Sequence, residues 1–289
     1  METPEHINYP KTIDISLTGF CQLNCAWCWG EEHTIGTVHS LDEWKELLRK
    51  FKEVGTSGVV FTGGEPLVSQ ILPELLRYSK EELMMRTTLS TNAILLNHLH
   101  KSVLPWVNDL GLPLDGSTPD VNKLMRAGAI NNLQKVIDAI KLVQTDYPGI
   151  ELTIRTVIAR PNIHDVVNIP EILTKNGVDI SLIRFKIYQV EPIGPRAKIT
   201  NTEAWRVSEN ECKLIELSLK NTYPNLSVTL QLYSKTTGRY YQIGPRGNAY
   251  GTYIEKDGTP KLIELGNPIV DFDFAIKMIK TLYPYNSTH

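Results

Sequence analysis

The most informative part of the sequence is Phe20-Cys21-Gln22-Leu23-Asn24-Cys25-Ala26-Trp27-Cys28-Trp29-Gly30. It places three cysteines in a CxxxCxxC pattern, and the one other cysteine of the chain is distant, at Cys212. Three thiolates on one loop can hold an iron–sulfur cluster by three corners and leave one iron without a protein ligand. The alternative is a zinc ion with Cys212 or His33 as its fourth ligand. No second ligand pair follows at the usual finger spacing, which disfavours zinc.

The composition is that of a globular protein, with 42% hydrophobic and 21% charged residues over 289 positions. The longest apolar runs are strand-sized, so we expect no membrane span. The first residues lack the order of a signal peptide, and clustered free thiols suit a reducing compartment, so we expect a cytoplasmic protein. A formal net charge of -2 gives no global attraction for nucleic acid, and we expect no nucleic-acid partner.

Strand-like and helix-like segments alternate between residues 12 and 190. The expected strands are Ile13–Leu17, Gly58–Phe61, Thr87–Ser90, Leu110–Leu114, Glu151–Ile158 and Leu182–Val190. Repeated strand–helix units predict an α/β fold with a parallel sheet, here a partial (β/α)6 TIM-like barrel over residues 1–200. Residues 201–289 combine two helices with four short strands, which predicts a small strand-rich α+β C-terminal extension packed on the barrel.

Unusual residues follow the carboxyl ends of these strands, where parallel α/β folds gather their chemistry. The cysteine loop follows the first strand, and Gly63-Gly64-Glu65-Pro66 follows the second. Ser90-Thr91-Asn92 ends the third strand, Asp115 follows the fourth, and Arg155 lies within the fifth. We therefore expect one site at this end of the barrel.

The cysteine triplet after the first strand and Gly-Gly-Glu-Pro after the second resemble the radical S-adenosylmethionine (radical SAM) superfamily. The resemblance implies a [4Fe-4S] cluster on Cys21, Cys25 and Cys28, with S-adenosylmethionine on the fourth iron. Reduction by an external electron donor of the flavodoxin or ferredoxin type would cleave the cofactor to a 5′-deoxyadenosyl radical. That radical takes a hydrogen atom from the substrate.

The same resemblance implies which residues contact the cofactor. They are Trp27, Gly63, Gly64, Glu65, Ser90, Asn92 and Arg155. The Gly-Gly-Glu strand end would bind the methionine amino group, because glycines permit close backbone approach and a carboxylate pairs with an ammonium. The serine and asparagine would contact the ribose and carboxylate, and the tryptophan would pack near the adenine.

Only one cysteine follows Cys28. Many superfamily members oxidise their substrates with the help of extra iron–sulfur clusters, and the ligands of such clusters are lacking here. The cysteine count therefore favours a redox-neutral outcome such as dehydration, decarboxylation or epimerisation. Cys212 itself lies on a predicted helix, where a buried core position is the ordinary outcome for a free cysteine.

Charged and polar groups near the sixth strand and in the tail are candidate substrate contacts. Two Gly-Pro-Arg turns, 194–196 and 244–246, end in a guanidinium suited to phosphate or carboxylate. The candidates are Asp115, Arg184, Lys186, Tyr188, Arg196 and Arg246. They predict a small anionic substrate, with solvated surface charge as the alternative for the loop arginines.

Two groups within the superfamily share further features with this chain. The strand 185–190 and the strand-rich tail resemble viperin-like nucleotide dehydratases, whereas Cys28-Trp29-Gly30 and Pro113-Leu114-Asp115-Gly116 resemble cytosylglucuronate-decarboxylase-like enzymes. Both resemblances imply lyase or isomerase chemistry on a nucleotide, nucleoside or sugar derivative. The open alternatives are a ribosomal-peptide epimerase with Cys212 as hydrogen-atom donor, an activator of a glycyl-radical protein, and a non-enzymatic metal-binding module.

Overall fold

The computed structural model describes residues 10–128, 130–191, 197, 201–235, 241–255 and 260–282. The strands are β1 (Thr12–Ser16), β2 (Gly58–Thr62), β3 (Arg86–Ser90), β4 (Asp109–Pro113), β5 (Glu151–Ile158), β6 (Ile183–Gln189), β7 (Ser227–Gln231), β8 (Tyr241–Ile243), β9 (Ala249–Ile254) and β10 (Pro260–Glu264). The helices are α1 (Leu41–Glu53), α2 (Leu72–Arg77), α3 (Leu96–Val103), α4 (Pro119–Met125), α5 (Leu133–Asp146), α6 (Ile169–Lys175), α7 (Glu209–Thr222) and α8 (Phe272–Leu282).

The first six strands pair in chain order, and every one of these pairs is parallel. A helix or helical turn lies between each of these strands and the next, and between β1 and β2 the cysteine loop precedes α1. This arrangement confirms the predicted α/β fold with a partial TIM-like barrel. It also brings the carboxyl ends of the strands to one side of the sheet.

The strands after residue 200 continue the same sheet. β7 pairs parallel with β6, and β8 pairs parallel with β1 at the other side of the barrel. β9 and β10 then add antiparallel neighbours to β8. The strand-rich C-terminal part is therefore confirmed, but its strands extend both edges of the barrel sheet. The division at residue 200 stays a prediction.

Local sequence explains where two of the helices begin. Ser40 caps α1 and forms a capping box with Glu43, and α1 buries Trp44, Leu47, Leu48 and Phe51 at helical spacing. The short helix α4 was not expected, because it has few apolar residues. Its start is nevertheless encoded, since Thr118 caps the helix and Pro119 occupies its first position. In the described part of the chain, no helix is long and apolar enough for a bilayer span.

One buried carboxylate joins the end of β2 to the end of β3. Glu65 is fully buried, and its carboxylate accepts hydrogen bonds from Thr91 Oγ1 at 2.6 Å, Asn92 N at 2.7 Å and Leu67 N at 3.1 Å. Burial raises the pKa of Glu65 to about 7, although the three hydrogen bonds act in the opposite direction. Glu65 therefore fixes the loop that follows β3.

We predict that Glu65→Ala lowers the free energy of unfolding by about 3 kcal/mol, because buried donors lose their acceptor. Urea denaturation at pH 7 measures the change. A loss below about 1 kcal/mol would contradict this structural role.

The pKa of Glu65 also predicts how stability depends on pH. Its folded-state value of about 7 lies above the ordinary value of 4.5, so the free energy of unfolding should fall as pH rises between those values. Glu65→Gln cannot ionise, and its stability should fall less over the same window. Urea denaturation at a series of pH values measures this dependence. If the free energy of unfolding falls equally in both proteins, Glu65 is not the cause of the pH dependence.

Candidate active site

The carboxyl ends of the barrel strands surround a cavity of about 340 Å³. Its wall includes all three cysteines of the triplet, the glycines after β2 and the polar residues at the end of β3. Inward-facing side chains of β1, β5, β6, β7 and β8 complete the wall. The volume is within the range of small-molecule and cofactor sites.

The three thiols share one face of this cavity. Leu23 N donates to Cys21 Sγ at 3.4 Å, and Gly30 N donates to Cys28 Sγ at 3.3 Å. Backbone donors of this kind stabilise thiolate charge in iron–sulfur sites. Burial raises the pKa of the Cys25 thiol to about 12, so this thiol becomes a thiolate at neutral pH only when it binds a metal.

The donor set fits a cluster better than a single zinc ion. Among the described residues, no three His, Cys, Asp or Glu side chains converge on one ion position. Ligands that each bind a different corner of a cluster are spaced more widely than the tetrahedral ligands of one zinc ion. Cys21, Cys25 and Cys28 are thus the residues that would hold a [4Fe-4S] cluster, and the cavity beside them has room for a cofactor.

The glycines after β2 hold the cysteine loop through backbone contacts. Gly64 N donates to Thr18 O at 2.7 Å, and Glu65 N donates to Phe20 O at 2.7 Å. A Cβ atom on Gly64 would collide with the carbonyl oxygens of Gly19 and Phe20. Gly63 has a φ of +135°, which side-chain-bearing residues rarely adopt.

The two glycines and Glu65 differ in what they present to the cavity. Both glycines line it, as expected for close approach to a cofactor. Glu65 is not among the lining residues, and its oxygen atoms already accept the hydrogen bonds that fix the β3 loop. Its predicted contact with the cofactor's amino group stays a prediction.

The other expected cofactor residues meet in the cavity. Asn92 Nδ2 donates to Gln22 Oε1 at 3.0 Å and to Cys21 Sγ at 3.6 Å. Arg155 Nη1 donates to Ser90 Oγ at 3.1 Å, and Arg155 Nε is buried without a hydrogen-bond partner among the described residues. That orphaned donor is suited to an anionic group such as a carboxylate.

Trp27 also lines the cavity, next to the cysteines. The guanidinium of Arg126 lies over its ring, 5.0 Å from the ring centroid. The predicted contact of Trp27 with an adenine ring stays a prediction.

Two of the predicted substrate residues, Asp115 and Arg184, do not line the cavity. Asp115 is fully buried beside Arg126, and its carboxylate accepts from Val157 N at 2.7 Å. Arg184 lies at the amino end of β6, where its ion pairs with Asp109 and Glu151 measure 2.5 and 2.7 Å. The spacing of a strand puts Arg184 roughly 16 Å from the carboxyl end of β6.

The remaining substrate candidates are distributed unevenly. Tyr188 lines the cavity. Lys186 precedes it by two residues on β6, is partly buried and does not line the cavity. Arg246 is exposed and does not line the cavity. Arg196 lies outside the described residues.

Cys212 is not placed to donate a hydrogen atom in this cavity. It is fully buried on α7 and belongs to the hydrophobic core, and burial raises its pKa to about 12. The structure therefore corrects the interpretation of Cys212 as a hydrogen-atom donor, because the side chain has no access to the site.

The lining residues that the sequence analysis missed include four on which the proposals below depend: Asp14, Arg126, Gln231 and Gln242. Asp14 stands opposite Gln242 in the pairing of β1 with β8, and Tyr188 stands opposite Gln231 in the pairing of β6 with β7. The signal for Asp14 was an acidic residue between two isoleucines in a central strand. No comparable local signal marks the other three.

Comparison with known proteins agrees with this geometry. The sequence profile of the Radical SAM superfamily matches residues 15–180. A GTP 3′,8-cyclase of Clostridium perfringens (strain SM101) is 29% identical over 224 residues, which cover 72% of this chain and 65% of the relative. A PqqA peptide cyclase of Bradyrhizobium diazoefficiens is 29% identical over 196 residues, covering 66% and 50%. The chain thus spans between half and two thirds of the length of these relatives.

A solved structure shares the fold. SuiB of Streptococcus suis, bound to S-adenosylmethionine, matches with a TM-score of 0.69 at 17% identity, over 95% of this chain and 67% of that chain. The matched profile covers more than half of the sequence and includes both the cysteine loop and the Gly-Gly-Glu-Pro strand end. The chain therefore belongs to the radical SAM superfamily, whose enzymes use a [4Fe-4S] cluster and S-adenosylmethionine.

Proposed function

We propose that this radical SAM enzyme acts on a small, hydroxyl-bearing anionic molecule of the nucleotide, nucleoside or sugar type. The proposed outcome is redox-neutral, as in dehydration, decarboxylation or epimerisation. The observation that carries the proposal is a set of polar side chains that line the same cavity as the cysteines: Asp14, Tyr188, Gln231 and Gln242.

These four side chains form two pairs on neighbouring strands. A carboxylate beside a primary amide, as in Asp14 and Gln242, offers acceptors and donors that match the hydroxyl groups of a sugar. A phenol beside an amide, as in Tyr188 and Gln231, offers a similar combination. Small-molecule sites typically fix the orientation of their ligand with a small number of precisely placed polar groups.

The two pairs lie within electrostatic reach of each other. The charge of Asp14 contributes to a raised pKa of Tyr188, after burial as the main cause. β1 and β6 are not neighbours in the sheet, so this influence acts across the barrel interior. A substrate in the cavity could therefore contact both pairs.

Positive charge nearby supports an anionic substrate. Burial raises the pKa of Asp14 to about 6, and the charges of Arg155 and Lys186 limit that rise. Asp14 is largely ionised at neutral pH and can accept a hydrogen bond, and the Arg155 guanidinium in the same wall favours a phosphate or carboxylate on the ligand.

The residues of the chain divide the work between cofactor and substrate. When bound, the cluster and S-adenosylmethionine supply the carbon radical that abstracts a hydrogen atom. Gly63 and Gly64 give the backbone close approach on the cofactor side, and Arg155 Nε is the donor for an anionic group. Asp14 and Tyr188 would hold the substrate hydroxyl groups. Burial of Cys212 supports an outcome without a second internal cluster.

The proposed chemistry also requires an electron donor and a reducing compartment. We propose that an external one-electron donor of the flavodoxin or ferredoxin type reduces the cluster. Free thiols at the cluster loop favour the reducing cytoplasm as its location.

Peptide modification is the second candidate function. It is favoured by the partners of two structural neighbours: SuiB of Streptococcus suis was solved with the precursor peptide SuiA, and anSMEcpe was solved with the Cp18Cys peptide. Their TM-scores are 0.66 and 0.64. Under this hypothesis, Asp14, Tyr188, Gln231 and Gln242 would contact polar groups of a peptide.

We predict that Cys21→Ala, Cys25→Ala and Cys28→Ala each lose the cluster, because three corners require three thiolates. Iron and sulfide counting after anaerobic reconstitution measures this loss. The matched control is Cys212→Ala, which should keep the wild-type iron content. A full cluster in Cys25→Ala would refute the ligand assignment.

We predict that a small anionic molecule, and not a peptide, stimulates 5′-deoxyadenosine formation. The probes are cytidine triphosphate, uridine diphosphate glucuronic acid and the SuiA peptide, each added to the reduced enzyme with S-adenosylmethionine. The stimulation should weaken as salt is raised, since exposed ion pairs are screened within about 8–10 Å at physiological ionic strength. Stimulation by the peptide alone would favour the second candidate.

Asp14→Asn and Tyr188→Phe should raise the KM for the stimulating probe about tenfold, equivalent to about 1.4 kcal/mol. Binding of S-adenosylmethionine should change much less than the KM, because the proposal assigns these side chains to the substrate. The matched controls are Asp42→Asn and Tyr253→Phe, two exposed positions. If both site variants keep the wild-type KM, the polar wall does not bind the substrate.

A further inference from the structure

Arg126 places a buried positive charge beside the cysteine triplet. Its side chain is 11% exposed, and its Nε lies 2.7 Å from Asp115 Oδ2, which is fully buried. Its guanidinium covers the ring of Trp27 and lines the same cavity as the cysteines. Trp27 lies between Cys25 and Cys28 in the chain, so the guanidinium is close to both of these cysteines.

The chain holds this arginine against the cysteine loop on both sides. Asn24 N donates to Ala127 O at 2.5 Å, and Leu23 forms an antiparallel bridge with Gly128. A Cβ atom on Gly128 would lie 2.9 Å from Gln22 O, so the two segments touch closely. Residues 126–128 therefore form a strap across the loop between the first two cysteines.

The other end of the strap is anchored to α4 and to the end of β4. Arg126 N donates to Asn122 O at 2.8 Å, and Asp115 N donates to Asn122 Oδ1 at 3.2 Å. The ion pair of Arg126 with Asp115 is thus fixed in position before any ligand binds.

Stability alone does not account for this pair. Removing two charges from water costs free energy that their attraction often fails to recover, and an apolar pair of the same volume is frequently as stable. A fixed charge beside a redox centre has a different consequence, because net charge is one of the factors that set the potential of an iron–sulfur cluster.

We propose that Arg126 is a positioning residue that raises the reduction potential of the cluster, and that Asp115 orients it and moderates its effect. One-electron reduction, by a donor of the flavodoxin or ferredoxin type, adds one negative charge to the cluster. The guanidinium favours that added charge, and the Asp115 carboxylate opposes it. This role is independent of which substrate the enzyme uses.

The test is a potentiometric titration of the reconstituted, cofactor-free protein, followed by electron paramagnetic resonance. Arg126→Met removes the positive charge and should shift the midpoint potential to a more negative value. Asp115→Asn removes the opposing charge and should shift it to a more positive value. Arg126→Lys keeps the charge and should remain nearest to the wild type. Arg160→Met, at an exposed ion pair with Glu211, is the matched control and should not shift it.

Opposite shifts separate an electrostatic role from a structural one, because general loosening of the loop would move both variants in the same direction. An unchanged or more positive potential in Arg126→Met overturns the proposal. If Arg126→Met fails to retain iron, the midpoint potential of Asp115→Asn tests the proposal instead. A value at or below that of the wild type overturns it.

Discussion

The close backbone approach at Gly64 is the constraint on which the site depends. Its N–H and that of Glu65 donate to carbonyl oxygens of Thr18 and Phe20, just before the first cysteine, and no side chain fits at Gly64. The carboxylate of Glu65 then extends the connection to Thr91 and Asn92 after β3. Three strand ends are thereby joined into one surface, and the cysteine loop is fixed on it.

The wall of the cavity combines two kinds of residues. The cysteine loop is held by Gly64 and by the strap 126–128, which comes from the end of α4. Arg126 and Arg155 add positive charge to the same wall. The strands β1, β6, β7 and β8 contribute amides, a phenol and the carboxylate of Asp14.

Local features of the sequence predicted the barrel and the identity of the cofactors. The cysteine spacing, the Gly-Gly-Glu-Pro strand end and the strand–helix alternation each lie within a few residues. Contacts between distant segments could not be predicted in the same way. Arg184 was placed on the correct strand, but partners on β4 and β5 fix it at the amino end. Arg126 lies in the strap, about a hundred residues after the cysteines in the chain. No local sequence pattern indicates that these two segments are in contact. Asp14 was visible only as a charge in an apolar strand.

The most direct test of this account is 5′-deoxyadenosine formation by Gly64→Ala. The substitution adds one methyl group where the carbonyl oxygens of Gly19 and Phe20 leave no room. Gly149→Ala is the matched control, since nothing lies within 4 Å of a Cβ atom there. With dithionite and S-adenosylmethionine, the wild type and Gly149→Ala should form 5′-deoxyadenosine, and Gly64→Ala should form at most a small fraction of their yield. Equal yields from all three proteins would contradict the account.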